Sequence, residues 1–303
     1  MSQAPETLAL GATLPSPIVE QDGESVIMSF DEASIQSRMR LDDPTALDLD
    51  YSRVMMAFLL LQPQPESILM IGLGGGSLAK YCHRHLPQAR ITVVEINPEV
   101  IASRDAFQVP PDGERFSVVC GDGAAFMASV PRGSYDVILV DGFGPGGEQP
   151  EDLCSLPFYK ACRAALRPSG VLMVNLQDKE PQCSRLIGRI WQMFGEPVLP
   201  LEVACGGNLV VLAGDDAAFK ACASSLRRRW KALDAVHQDT LDGVLLGLEE
   251  ELKPWWVAPT REKKPLVRDE SATVKPKVPM VAAEPKAAAK KAPSQRKCSG
   301  GRR

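Results

Sequence analysis

Ser67-Ile-Leu-Met-Ile71 runs directly into Gly72-Leu-Gly-Gly-Gly-Ser-Leu78, and Arg90-Ile-Thr-Val-Val-Glu95 follows after a helix-like stretch. The first run has the length and apolar character of a buried strand. Gly72, Gly74, Gly75 and Gly76 then let the backbone approach a ligand closely, and a helix starting there offers free N–H groups. The second apolar run ends in an acid, Glu95, roughly 20 residues after the glycines, where it can accept hydrogen bonds from two ribose hydroxyls. The glycines taken alone are also compatible with a tight turn. Strand, glycine loop, helix, strand and acid in this order describe a β-α-β unit that binds a nucleoside.

Working outward, the alternation continues. Phe116–Cys120 reads as a strand followed by Gly121-Asp122-Gly123 and a helix to about Val130. Tyr135–Asp141 reads as a strand followed by a loop over Gly142–Cys154 and a helix over Pro157–Leu166. A tight turn at Arg167–Gly170 leads into a strand at Val171–Leu176. A helix over Gln182–Phe194 and strands near Pro197–Val203 and Asn208–Ala213 complete the pattern, with helices over Asp216–Ala235 and Thr240–Leu252. Pro98 opens a helix to about Phe107. Strands alternating with helices predict a mainly parallel sheet covered on both faces. Ligands in such sheets bind beyond the carboxyl ends of the strands, where Gly72–Ser77, Glu95, Asp122 and Asp141 all fall.

Upstream, Ile18-Val-Glu20 and Ser25–Phe30 flank Asp22-Gly23, a hairpin signal. A helix over Asp50–Leu61 ends before Pro63 and Pro65. We divide the chain into residues 1–62 (β-hairpin region and lead-in helix), 63–255 (the ligand-binding domain) and 256–303 (a tail rich in Lys, Ala and Pro). Residues 261–303 carry 13 Lys/Arg against 4 Asp/Glu, a net +9, whereas the rest of the chain is net −13. Such a tail cannot bury enough apolar area to offset its chain entropy, so it is expected to be disordered. Its charge suits nucleic acid or another polyanion, or serves only solubility.

Composition narrows the rest. The 303-residue chain is 45% hydrophobic, with no apolar run approaching the ~20 residues of a membrane span and no signal-peptide pattern, so no membrane partner and a cytoplasmic location are expected. Its eight cysteines have no Cys-x-x-Cys spacing, which predicts buried reduced thiols. His83 and His85 lie on different faces of a helix, so no metal site is expected.

Together, the glycine loop, Val94–Pro98, Gly121-Asp122-Gly123-Ala-Ala-Phe126, Tyr135–Asp141, Phe158-Tyr159 and Leu166–Gly170 resemble the spermidine synthase family of polyamine aminopropyltransferases, over about residues 17–235. The resemblance implies an α/β, doubly wound, mainly parallel seven-stranded sheet of the class I methyltransferase type. Its last strand would be antiparallel and a small N-terminal β-structure would precede it. It also implies a transferase moving an alkyl group, aminopropyl or methyl, from decarboxylated or ordinary S-adenosylmethionine to a small amine acceptor such as a polyamine, with no metal and a homodimeric assembly. Carried over by position, Glu95 and the neighbouring Ile96 would hold the ribose, and Asp122 with Gly123 the adenine. Gln36 would lie near the thioether and Tyr51 in the acceptor pocket, with Asp141 accepting a proton from and orienting the attacking amine. An ammonium has no lone pair, so such a base is needed, and in-line positioning supplies much of the remaining rate.

Three positions depart from the family pattern. Gly75 stands where an aspartate pairs with the amine of the decarboxylated donor, so selectivity against ordinary S-adenosylmethionine should weaken. Gly144 replaces a second aspartate, and Ser52 a histidine. Polyamines are cationic and need carboxylates in their site. Other readings remain open on the residues alone. Asp122 can be a helix N-cap, and Asp141 can cap a turn. The chain can also be a non-catalytic adenosyl-ligand binder. A nicotinamide dehydrogenase shares the β-α-β start, but the Gly-Asp-Gly turn argues against it.

Overall fold

Along Ile68–Ile71 the buried side chains alternate between two apolar clusters. Ile68 and Met70 enter one, and Leu69 and Ile71 the other. A strand buried on both faces belongs in the middle of a sheet with helices on either side, and that is what the computed structural model shows. It describes residues 14–31, 35–144, 146–178, 182–195 and 197–255. The tail expected to be disordered, 256–303, lies outside the described residues, as do residues 1–13.

In chain order the strands are β1 (Ile18–Asp22), β2 (Ser25–Ser29), β3 (Ile35–Arg40), β4 (Ser67–Ile71), β5 (Arg90–Glu95), β6 (Phe116–Cys120), β7 (Tyr135–Val140), β8 (Leu166–Gln177), β9 (Val198–Glu202) and β10 (Asn208–Gly214). The helices are α1 (Asp50–Met55), α2 (Ser77–His85), α3 (Pro98–Ala102), α4 (Gly123–Ser129), α5 (Leu156–Ala165), α6 (Cys183–Phe194), α7 (Asp216–Ala223), α8 (Leu226–Ala232) and α9 (Ala235–Leu252). The large sheet has seven strands in the order β6-β5-β4-β7-β8-β10-β9, parallel from β6 through β8. Strand β10 runs antiparallel to both its neighbours. From β4 the chain steps outward to β5 and β6, then returns to β7 on the other side of β4. This reversal opens a crevice between the loops after β4 and β7, the usual ligand position in such sheets.

The small sheet β1-β2-β3 is antiparallel. Its first hairpin turns at Gly23-Glu24 as the Asp-Gly signal predicts, with Gly23 at φ 59°. The pattern from Ser16 to about Met39 suggests short strands, and strand β3, Ile-Gln-Ser-Arg-Met-Arg, is one whose own bounds it does not give: the inward residues are Ser37 and Met39, and one serine breaks the apolar alternation. Residues Met56–Leu60 continue α1 as a wholly buried 3-10 turn. Truncating a core side chain such as Leu69 to Ala would cost about 2–5 kcal/mol.

Four expected boundaries move. The helix after Pro98 stops at Ala102, where the Ser103 hydroxyl bonds back to the Glu99 carbonyl and Arg104 reaches forward to the Pro110 carbonyl. The helix expected over Asp216–Ala235 is two helices, because the Ser224 and Ser225 hydroxyls both donate to the Ala221 carbonyl and compete with helical pairing there. Helix α9 starts at Ala235 rather than Thr240. Strand β8 starts at Leu166, absorbing the expected turn as an irregularity in register with Ser169 at φ 64°.

Candidate functional site

The loop after β4 is bent back by left-handed backbone at Gly72 (φ 97°), Gly74 (φ 51°) and Gly76 (φ 69°). At Gly72 the reason is packing as well as torsion. A Cβ there would lie 2.8 Å from the carbonyl carbon of Asp141, because the Asp141 N–H donates to the Ile71 carbonyl at 2.8 Å and draws the two loops together. Gly76 is the residue preceding α2 and packs on Val109. The Gly75 N–H donates to the Ser37 hydroxyl at 2.8 Å, so β3 anchors the loop from above.

Glu95 ends β5 almost fully buried. Its two oxygens accept from the backbone N–H groups of Leu73 and Asn97, each at 2.8 Å. Burial pushes its pKa above the usual carboxylate range, against the lowering effect of these backbone donors. Asp122 ends the turn after β6 and accepts from the Ala125 N–H at 2.7 Å, so it caps α4 while its side of the turn lines the cavity. Gly123 lies against Ile71, with no room for a Cβ.

Asp141, just after β7, receives two side-chain hydrogen bonds. Tyr51 on α1 donates to Oδ2 at 3.1 Å, and Asn175 on β8 donates to Oδ1 at 2.8 Å. Asn208 on β10 donates to Asn175 Oδ1 at 3.0 Å, which fixes the Asn175 amide with its NH2 toward Asp141, and Gln149 donates to the Asn175 carbonyl at 2.7 Å. Burial raises the Asp141 pKa, while the Asn175 and Tyr51 donors favour its ionised form and lower it. Burial, the Asp141 charge and the hydrogen bond to it raise the Tyr51 phenol well above its ordinary value, so it stays a neutral donor.

These elements enclose one cavity of about 330 Å³, within the range of small-ligand sites. Gln36, Tyr51, Gly72, Gly74, Glu95, Ile96, Asp122, Gly123 and Asp141 all line it. Gly75 and Gly76 do not: a Cβ on either would meet Phe107 or Val109, neither of which lines the cavity. A Cβ on Gly75 would lie 2.6 Å from Phe107 Cδ1, so an aromatic ring fills the space that the family aspartate would need. Buried Lys80 holds that segment by donating to the Phe107 carbonyl at 2.8 Å, and burial brings its pKa down to about 8.

Sequence reasoning did not find Ser37, Asn175, Asn208 or Gln149. One signal was available: Asn175 interrupts the apolar run Val171–Leu176, and a polar side chain inside a buried strand needs a partner. Among the described residues no group of three or more His, Cys, Asp or Glu could hold a metal, and no helix is long and apolar enough to cross a membrane.

The family described as the spermine/spermidine synthase domain matches residues 49–192. A polyamine aminopropyltransferase of Chromobacterium violaceum is 40% identical over 201 residues, covering 66% of this chain and 76% of that protein. One from Neisseria meningitidis serogroup B is 37% identical over 238 residues, covering 78% and 89%. In fold, the chain is similar to the crystal structure of a probable spermidine synthase from Corynebacterium glutamicum, with a TM-score of 0.58 at 20% identity over 75% of this chain and 90% of that one. Sequence relatives matched over most of their length and a shared architecture agree: this chain belongs to the spermine/spermidine synthase family of transferases.

Proposed function

We propose that this chain transfers the 3-aminopropyl group of decarboxylated S-adenosylmethionine to an amine acceptor, a diamine or polyamine, with Asp141 as the proton-accepting and orienting residue. The observation that carries the reading is the arrangement around Asp141. A carboxylate lines the cavity with neutral donors on both oxygens and, among the described residues, with no cation among its side-chain hydrogen-bond partners. Its negative charge is left for the substrate. The donor's sulfonium carries the leaving thioether.

In this reading Asp141 accepts a proton from the acceptor ammonium and holds the freed nitrogen lone pair toward the methylene carbon beside sulfur. A C–N bond forms as the C–S bond breaks. The bonding pair leaves on sulfur as neutral 5′-methylthioadenosine, and the proton passes through Asp141 to solvent. Glu95 and Asp122 hold the ribose and adenine, Ile96 and Gly123 pack beside them, and Gln36 borders the thioether. Tyr51 positions Asp141. Gly72 and Gly74 give the backbone its close approach.

The test is incubation with decarboxylated S-adenosylmethionine and 1,4-diaminobutane, following methylthioadenosine and the triamine by chromatography. Asp141→Asn should lower kcat by at least about 100-fold, the ordinary weight of a general base, with adenosyl-ligand binding retained. Activity unchanged in that variant would remove Asp141 from its role.

Phe107 against Gly75 favours a second reading, in which ordinary S-adenosylmethionine is also accepted and a methyl group moves. Release of S-adenosylhomocysteine rather than methylthioadenosine would identify it. Binding without turnover of either donor would instead favour an adenosyl-ligand-binding scaffold. A homodimer, a cytoplasmic location and a polyanion-contacting tail belong to the same proposal. The resemblance supports the first, the composition and cysteine spacing the second, and the +9 charge of residues 261–303 the third. Sedimentation at two salt concentrations, with and without RNA, tests the assembly and the tail.

A further inference from the structure

We propose that the glycine-loop end of the cavity binds a carboxylate through Ser37 and Ser77, so that this chain also transfers the 3-amino-3-carboxypropyl group of ordinary S-adenosylmethionine to an amine. The inference rests on the aminopropyl-transfer reading above and keeps its reacting atoms. In that reading Asp122 and Glu95 hold the adenosine, and Asp141 faces the methylene beside sulfur. The far end of the three-carbon tail is left to the part of the cavity bounded by Gly74, Ser37 and Ser77, all of which line it.

This end offers hydrogens and no acid. Ser37 is only 6% exposed, and its oxygen accepts from the Gly75 N–H at 2.8 Å. Among the described residues no hydrogen bond has the Ser37 hydroxyl as donor, so its own hydrogen is left for a ligand. It stands close over the loop: a Cβ on Gly74 would lie 2.9 Å from Ser37 Oγ, and a Cβ on Gly75 3.0 Å from Ser37 Cβ. The Ser77 hydroxyl is likewise uncommitted among the described residues, and no side chain caps α2. Ser77, Leu78 and Ala79 are the first three residues of α2, where backbone N–H groups lack an intrahelical acceptor, and all three line the cavity. Buried Lys80 comes next, and its ammonium donates to a carbonyl, that of Phe107, rather than to an acid. The four acids that line the cavity come from elsewhere: Glu95 ends β5, Asp122 follows β6, and Asp141 and Asp152 follow β7.

The tail of the decarboxylated donor ends in a bare ammonium. The ordinary tail adds a carboxylate on the same carbon and is a zwitterion. A bare ammonium desolvated among hydrogen-bond donors gains no paired charge, whereas a carboxylate accepts charge-assisted bonds from hydroxyls and backbone N–H groups. The carboxylate lies two bonds from the carbon under attack, so the displacement is the same. The acceptor ammonium gives a proton to Asp141, and the freed lone pair forms the C–N bond at the methylene beside sulfur. The C–S pair leaves on sulfur as methylthioadenosine, the proton passes to solvent, and the carboxylate stays on the product. Methyl transfer would break a different C–S bond and release S-adenosylhomocysteine.

The test incubates the full-length chain with 1,4-diaminobutane and either donor, and identifies the products by mass spectrometry. Ordinary S-adenosylmethionine should yield methylthioadenosine together with a diamine adduct heavier than the triamine by one CO2. Ser37→Ala and Ser77→Ala should each lower kcat/KM for the ordinary donor by about tenfold relative to the decarboxylated one, the weight of a hydrogen bond to a charged group. A serine that only anchors the loop would slow both donors alike, and an unchanged ratio in both variants would overturn the carboxylate site. Triamine from the decarboxylated donor with no adduct from the ordinary one, or with S-adenosylhomocysteine in its place, would overturn the proposal while leaving aminopropyl transfer standing. If neither donor gives an adduct, the functional reading fails and this inference fails with it.

Discussion

Asn175→Leu removes the amide that donates to Asp141 while nearly preserving its volume. The lost bond is 2.8 Å long and made to a carboxylate. Hydrogen bonds to charged groups contribute about 1.5–3 kcal/mol. Part of that survives in either protonation state, because a protonated acid still has a carbonyl oxygen to accept with. About half is differential, and one pH unit corresponds to about 1.36 kcal/mol. The sign follows from what the donor favours. Asn175 favours the ionised form, so without it Asp141 takes up its proton at a higher pH, adding to the upward shift that burial already causes. The acid limb of the kcat/KM profile should therefore move up by about one pH unit, with the alkaline limb in place. Stability should also fall, because the Asn208 amide loses its acceptor at Asn175 Oδ1. At about 1 kcal/mol that is a drop in Tm of about 2–4 °C. The assay is methylthioadenosine release from pH 5 to 9 at each substrate's low-concentration limit, beside a thermal melt. A folded variant whose acid limb coincides with the wild-type limb would refute the claim that Asn175 tunes Asp141.

Two further outcomes test the glycine loop. Gly75→Asp should destabilise the fold by about 1–3 kcal/mol, because its Cβ would meet Phe107 at 2.6 Å. Adding Phe107→Ala should relieve the clash and shift calorimetric binding toward the decarboxylated donor over S-adenosylmethionine, and equal affinity for the two would count against a charge role at 75. Gly72→Ala should cost about 3 kcal/mol or more, since it combines φ 97° with a Cβ 2.8 Å from the Asp141 carbonyl carbon. Urea unfolding with an unchanged midpoint would contradict the close approach of the two loops.

Asn175 marks where sequence reading ran out. A polar residue inside Val171–Leu176 announces that a partner exists, but its partners lie on β10 and in the segment after β7, distant in sequence. The helix boundaries that moved, at Ala102 and at Ser224-Ser225, were decided by side chains bonding back to nearby carbonyls, a competition that apolar periodicity does not register.

The sequence by itself determined the α/β alternation, the glycine loop, and the acids at the ends of β5, β6 and β7. Those features are local: strand length, apolar run and turn chemistry are each written within a few residues. The tertiary structure decided which of those residues share a cavity. It turned Gly75 and Gly76 away from it and set Phe107 where a carboxylate would stand. It also joined Tyr51, Asp141, Asn175 and Asn208 into one hydrogen-bonded chain. These outcomes depend on the order of strands in the sheet and the close approach of separate loops, and so on contacts between residues that no periodicity relates.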